Sequence, residues 1–545
     1  MKRPLLRALL TGSTIALFTA IILVQPRPGY AIPAFSRQYG TSCSTCHIDF
    51  PKLNDFGKAF KDAGFKFPND DEALIKVPPV MLGAPAQKEL WPRAIWPGKI
   101  PGMPPIGLRM NSFFQVSGRN ANNLVFVQQP GSTTPADNGY VPRTDFETGF
   151  FSIFTAGNFG SDIAFWVDDD FSVSGANANG GLGDAYLRFV NIGRLIHLPK
   201  DSLSLRVGQF ELELPFTQAR SINISPWDIF AQPNVGAMNP AFPQQNVNNA
   251  FSLAGAAQGV EFSGGHHYGG YYYALAIVNQ NTGGPVNAAT LIPSATGSQR
   301  GGVDFKSDSN FKDVYARFAY RFNLERDKES RNAVQAAGSM GPRNHTYLNL
   351  GSFYFYGRSV QRFPGATPLT SVPELLTARE PFYRVGADFS FNYRDFNLYG
   401  VWMYGRDHNL VPVDATGATF PSTPPVGFAR GTPATFSGGF LQADYPVYPW
   451  MLLIMRYDAV NSSSDYINGL AGNTSTPFFG PTSDTRNRFT PGVQFLIHAN
   501  IKTSFEYQIR PKQQIVSGLD PVTGNPVTLP PFRSNAATVA LEWVY

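Results

Sequence analysis

From about residue 105 to the C-terminus, the chain consists of segments of about ten residues in which apolar and polar side chains alternate with a two-residue period. In the last segment Ala537, Val539, Leu541, Trp543 and Tyr545 face one way, and Thr538, Ala540 and Glu542 the other. Ile501, Thr503, Phe505, Tyr507 and Ile509 oppose Lys502, Ser504, Glu506, Gln508 and Arg510 in the same manner. Val314, Ala316, Phe318, Tyr320 and Phe322 oppose Arg317 and Arg321. An apolar face backed by a charged one is the pattern of a transmembrane β-barrel, whose wall meets lipid and whose lumen is wet. About sixteen such segments begin near residues 106, 145, 161, 181, 203, 257, 270, 312, 345, 382, 396, 436, 449, 488, 500 and 535.

The connections support the same reading. Those at 118–144, 214–256, 280–311, 357–381, 406–435, 460–487 and 511–534 are long. Those at 158–160, 265–269, 394–395, 447–448 and 499 are short, as expected when one rim faces the periplasm and the other the exterior. Two inside connections, 191–202 and 324–344, are longer than this rule expects. A soluble sandwich or propeller would also show short alternating strands, but has no reason to alternate its loop lengths, and no blade-length repeat is visible. With 14% aromatic and 15% charged residues, 52 Gly and 45 Pro, the composition favours strands and turns. A net charge of +5 without a basic stripe gives no case for nucleic acid.

The N-terminus reads as an export signal. Lys2, Arg3 and Arg7 precede an apolar run from Ala8 to Val24, and Gly29 and Ala31 offer small residues for cleavage, so residues 1–31 are assigned as signal peptide. A retained anchor is the alternative, although no second apolar stretch of about 18 residues follows. The two cysteines, Cys43 and Cys46, leave four options in an exported chain: a small disulfide, a redox dithiol, half of a metal site, or a haem attachment. His47 selects the last. Cys43-Ser44-Thr45-Cys46-His47 supplies two thiols for the vinyl groups of one covalent haem c and a histidine to ligate its iron. Cys43, Cys46 and His47 are therefore the cofactor-binding candidates, His47 is the metal ligand, and no catalytic residue is assigned.

Downstream, Leu53, Phe56 and Phe60 recur at helical spacing, with Pro51 suited to a first turn and Gly64 to a C-terminal stop. Phe56 and Phe60 are expected to lie against the porphyrin or to fill a small core. Residues 32–104 form the expected cytochrome c domain, too small to be stable without its haem. For the sixth iron position the first candidate is Met81, followed by Met103 and Met110, with a barrel histidine or an open site as alternatives. Asp168, Asp169 and Asp170 could gather cations near the outside, though such runs are usually solvated loop charge, and His266 and His267 fall in an inside turn as interfacial residues.

The stretch Ala31-Ile32-Pro33-Ala34-Phe35-Ser36-Arg37-Gln38-Tyr39-Gly40, the Cys43–His47 motif and Phe50-Pro51-x-Leu53-Asn54-x-Phe56-Gly57-x-x-Phe60-Lys61-x-x-Gly64 together resemble the fused monohaem cytochrome–porin family of the outer membrane, a group that includes outer-membrane iron oxidases. The resemblance covers about the first thirty-five mature residues; the barrel, residues 105–545, is similar in kind only. It implies single-electron transfer between an extracellular donor such as Fe(II) and a periplasmic c-type cytochrome or other carrier, with outer-membrane lipid around the barrel and the haem domain in the periplasm or the lumen. A ferrous iron oxidase activity is the enzymatic form of that expectation. The alternatives are a passive or gated solute porin with a haem plug, and outward electron delivery to extracellular acceptors. Lumen charges such as Arg206, Arg317, Arg321, Lys502 and Glu506 suit either use.

Overall fold

The computed structural model describes residues 34–67, 80–81, 89–90, 99–100, 106–117, 143–159, 162–171, 181–217, 221–231, 253, 256–279, 311–324, 346–364, 375–408, 410–413, 416–417, 427–430, 433–462, 485–498, 500–509, 518–519, 526–527 and 535–545. The signal-peptide assignment and Met103 lie outside them, and of Met81 only the backbone is described.

Sixteen antiparallel strands close into a barrel: β1 Ile106–Ser117, β2 Arg143–Phe159, β3 Ile163–Phe171, β4 Gly181–Phe189, β5 Ser204–Phe210, β6 Ala257–Gly265, β7 Gly270–Val278, β8 Asp313–Asn323, β9 Tyr347–Pro364, β10 Leu375–Tyr393, β11 Phe396–Asp407, β12 Ala434–Tyr448, β13 Met451–Ser462, β14 Thr485–His498, β15 Ile501–Gln508 and β16 Ala536–Val544. Each pairs with its successor, and β16 seals on β1 through Ala536↔Ser117 to Val544↔Arg109, so no edge is left unpaired. Strand starts fall where the alternation places them, except that β10 begins at Leu375 instead of 382. There β9 and β10 stay paired out to Pro364↔Leu375. In that extension the sequence sets polar residues such as Ser359, Gln361, Arg379 and Glu380 among the apolar ones, so the period-two signal fades there.

Side-chain parity follows the sequence. Phe318, Tyr320, Phe322, Tyr507 and Leu541 are exposed on the outside, whereas Arg317, Arg321, Lys502, Glu506 and Glu542 are buried inside. Buried charge is costly unless paired, and the lumen pairs it. Arg317 binds Asp388 through two contacts of 2.7 and 3.0 Å, Arg206 meets Glu261 at 2.6 Å, and Arg384 binds Asp407. No helix among the described residues is long and apolar enough to cross a membrane.

Two pieces of chain fill the lumen. The first is the connection after β5, where Phe216, Trp227 and Phe230 pack on Tyr399 and Phe440 of the wall. It is tied down by Glu506, which accepts from the backbone of Ile224 and Ser225, and by Arg488, 3.0 Å from Asp228. The second is the N-terminal segment 34–67, hereafter the plug.

Candidate functional site

The plug contains helix α1 Ala34–Tyr39, a 3-10 turn at Cys43–Thr45 and helix α2 Asp55–Asp62. The N-cap of α2 is Asn54, not Pro51. Pro51 sits in the turn before the two-residue strand Lys52–Leu53, which pairs back on His47–Asp49 and delays the helix. Asn54 joins the cysteine turn to the helix: its Oδ1 accepts from Gly57 N at 2.8 Å, its Nδ2 donates to the carbonyls of Ser44 and Thr45, and its backbone N donates to Cys46 O at 2.9 Å. Gly57 permits the approach, because a Cβ there would lie 2.2 Å from Cys46 O. Gly64, at φ +79°, ends the segment as its sequence position suggested.

Phe56 and Phe60 form an aromatic core with Tyr39, Phe65 and Phe67, and Phe65 stacks obliquely on Trp166 of β3 at 5.5 Å. Polar contacts then fix the plug around the barrel's circumference. Asp55 takes both arms of Arg321 at 2.7 Å, and Lys52 reaches Asp444 at 2.7 Å and Asn397 at 2.8 Å. Lys61 meets Glu213 at 3.0 Å, Asp62 meets His267 Nδ1 at 2.7 Å, and Lys502 donates to the carbonyl of Phe50. His267, read from sequence as interfacial, thus holds the plug. Its partner Asp62 lies too far along the chain for any local pattern to reveal it.

Cys43, Cys46 and His47 open on one cavity of about 430 Å³ between plug and wall, within the ~300–1,000 Å³ range of cofactor pockets. Phe35, Phe50, Phe60 and Phe65 line it from the plug, and Phe154, Trp166, Tyr186 and Asp168 from the wall. His47 Nδ1 is buried without a hydrogen-bond partner. Burial dominates its titration and, with the Lys502 ammonium, lowers it to about 4 against the raising effect of the Pro51 and Lys52 backbone, so the imidazole is neutral and able to ligate. Burial, with Cys43 beside it, pushes the Cys46 thiol up to about 12, and burial raises Cys43 against its contact with Ser36. Both cysteines are free thiols. No group of three or more His, Cys, Asp or Glu among the described residues is placed to hold a metal ion. Two neighbouring thiols and a neutral imidazole whose Nδ1 has no hydrogen-bond partner, all facing an apolar, aromatic cavity, fit a covalent haem.

Of the sixth-ligand candidates, Met110 is corrected. It pairs with Trp543 on the outer face of the β1–β16 seam, one residue from the inward Arg109, and strand alternation turns it away from the lumen. Asp168 lines the cavity and accepts from the backbone N of Asp184. Tyr186, the cross-strand partner of Trp166, was not singled out from sequence, where it reads as one more inward position.

Fold and site together define a porin-like transmembrane β-barrel with an occupied lumen. No family model matches the chain, and no curated protein matches it. Among solved structures the chain is similar to an anion-selective porin from Comamonas acidovorans, at 10% identity and TM-score 0.45, covering 81% of this chain and 98% of that one. It is also similar to the outer membrane channel DcaP of Acinetobacter baumannii (10%, 0.40, covering 81% and 97%) and to Salmonella typhi OmpF in complex with daunomycin (12%, 0.39, covering 81% and 98%). The likeness is one of barrel construction alone.

Proposed function

We propose that this is an outer-membrane barrel whose plug carries one haem c on Cys43 and Cys46, with His47 as iron ligand, and that it moves single electrons between an extracellular donor such as ferrous iron and a periplasmic c-type cytochrome or other carrier. The observation that carries the reading is the meeting of both thiols and the His47 imidazole on one largely apolar cavity inside the lumen. The bound cofactor would supply the one-electron couple. The chain's own residues do the rest. Asn54 and Gly57 fix the attachment turn against α2, the phenylalanines exclude water, and the ion pairs to Arg321, Asp444 and Glu213 hold the plug to the barrel wall.

The barrel taken alone favours a second reading, a gated solute channel. A sixteen-strand wall with a charged lumen is wide enough for aqueous passage. Beside the plug lies a second cavity of about 230 Å³, lined by polar groups such as Lys52, Lys58, Arg321 and Glu213. Outward delivery of electrons would use the same parts as the first reading. The test is anaerobic spectroscopy of the detergent-solubilised protein during titration with Fe(II), alongside conductance in planar bilayers. Prompt appearance of reduced c-type bands, absent from the Cys43→Ala/Cys46→Ala variant, supports electron transfer. A protein without those bands that conducts steadily is the solute channel.

A further inference from the structure

The connection between β4 and β5, the inside turn longer than its neighbours, is an ordered knob and not a slack loop. A 3-10 helix at Ile192–Ile196 runs between Asn191 and His197, both in the left-handed region at φ 58° and 60°. Asn191 Oδ1 accepts from Asp201 N at 2.5 Å, and Leu198 N donates to Gly193 O at 2.9 Å. The neighbouring turn joins in through Gly265 N to Asp201 O at 2.8 Å. This frame displays large apolar side chains at the rim: Leu195 is 83% exposed and Ile196 65%, with Leu198 beside them. A contiguous apolar patch held rigidly in the open marks a surface that something covers.

Continuity identifies the cover. Leu198 and Leu203 flank Gly193, where a Cβ would stand 3.0 and 3.3 Å from theirs. Leu203 leads into the outward parity of β5, where Val207 is exposed, next to the exposed Leu187 of β4. The knob therefore extends the lipid-facing wall below the rim. Arg194 and Lys200 flank the apolar residues, and cations beside a short apolar segment suit phosphate headgroups above an acyl boundary. We infer that residues 191–200 are an interfacial anchor bedded in the phospholipid leaflet on the periplasmic side. The inference rests on the reading of the barrel as membrane-spanning.

The test uses the holoprotein in nanodiscs of phosphatidylethanolamine and phosphatidylglycerol, with a nitroxide on Leu195→Cys and, in a second variant, on Phe318→Cys, which faces outward from β8. Collision with oxygen is compared with collision with a water-soluble nickel chelate. Several-fold greater access for oxygen at both positions is expected, as is loss of that preference at position 195 when Arg194→Glu and Lys200→Glu are added. Water-like access at 195 with lipid-like access at 318 overturns the anchor, as does shielding at 195 that arises only when a soluble periplasmic protein is added. Water-like access at both positions overturns the barrel reading instead. Label taken up by the wild type reports free Cys43 or Cys46, and so tests the cofactor reading separately.

Discussion

Replacing Asp55 by Ala removes the carboxylate that holds both arms of Arg321, whose side chain is only 2% exposed. The guanidinium would then keep Asn323 Oδ1 at 2.9 Å and the Tyr347 ring at 3.6 Å, neither of which neutralises it. Breaking a buried pair from one side costs ~3–5 kcal/mol. Asp55 is 17% exposed, which places the cost near the lower end, with a few tenths added for an acid lost from the first turn of α2. At about 1.4 kcal/mol per tenfold, the population with its plug undocked rises roughly a hundredfold. The assay is the rate of tryptic cleavage at Lys58 and Lys61 in the folded, detergent-held protein, which tracks the undocked population when redocking is fast. The double variant Asp55→Ala/Arg321→Met removes the stranded charge and should recover at least tenfold of that rate. A single variant within threefold of wild type, or a double variant cleaved as fast as the single, would refute the pair as the plug's main tether.

Gly57→Ala drives a Cβ into Cys46 O and should shift α2 from the attachment turn, costing ~1–3 kcal/mol; haem stain per barrel on denaturing gels should fall, while the heat-modifiable mobility of the barrel is unchanged. Burial alone would raise Asp62, but His267 and Arg188 outweigh it and hold the carboxyl below its usual range. Its contribution to docking is therefore complete above the unfolded value of roughly 3.9 and lost as pH falls through the lower folded value. Tryptophan emission, which senses Trp166 against Phe65, should hold steady down to about pH 4 and change below it, with a shallower acid transition in Asp62→Asn. Met110→Leu should leave the visible spectrum of the holoprotein unaltered, since that side chain faces away from the lumen; a changed ligand-field band would contradict the strand register.

The barrel was legible because lipid imposes its demand at every second residue. Phe318, Tyr320 and Phe322 against Arg317 and Arg321 already state which face of β8 is which. The same signal gives out over the paired extension of β9 and β10, where the sequence no longer alternates apolar with polar. The Cys43–His47 motif was legible as a motif, but the clasp that Asn54 and Gly57 make on its turn was not, because Pro51 looked the better start for the helix. Nor was the plug's place in the lumen. Lys52, Asp55, Lys61 and Asp62 look like solvated charges on and before an amphipathic helix, and their partners Asp444, Arg321, Glu213 and His267 lie 152 to 392 residues away on different strands and loops. Local periodicity says that those charges avoid the helix's own core. It cannot say that they meet opposite charges instead of water.

The plug also bears on the seam. Arg37 of α1 donates to the carbonyl of Ile106, the first residue of β1, and lies over the ring of Tyr545, 5.1 Å away at the end of the last strand. The first helix of the plug thus rests against the joint between β1 and β16. Order of manufacture follows from that arrangement: the plug is synthesised first, and the wall is complete only when β16 meets β1 around it. On the proposed reading, in which Cys43 and Cys46 carry a haem, attachment would have to precede that closure, and a chain that closed with bare cysteines would seal itself around an empty cradle.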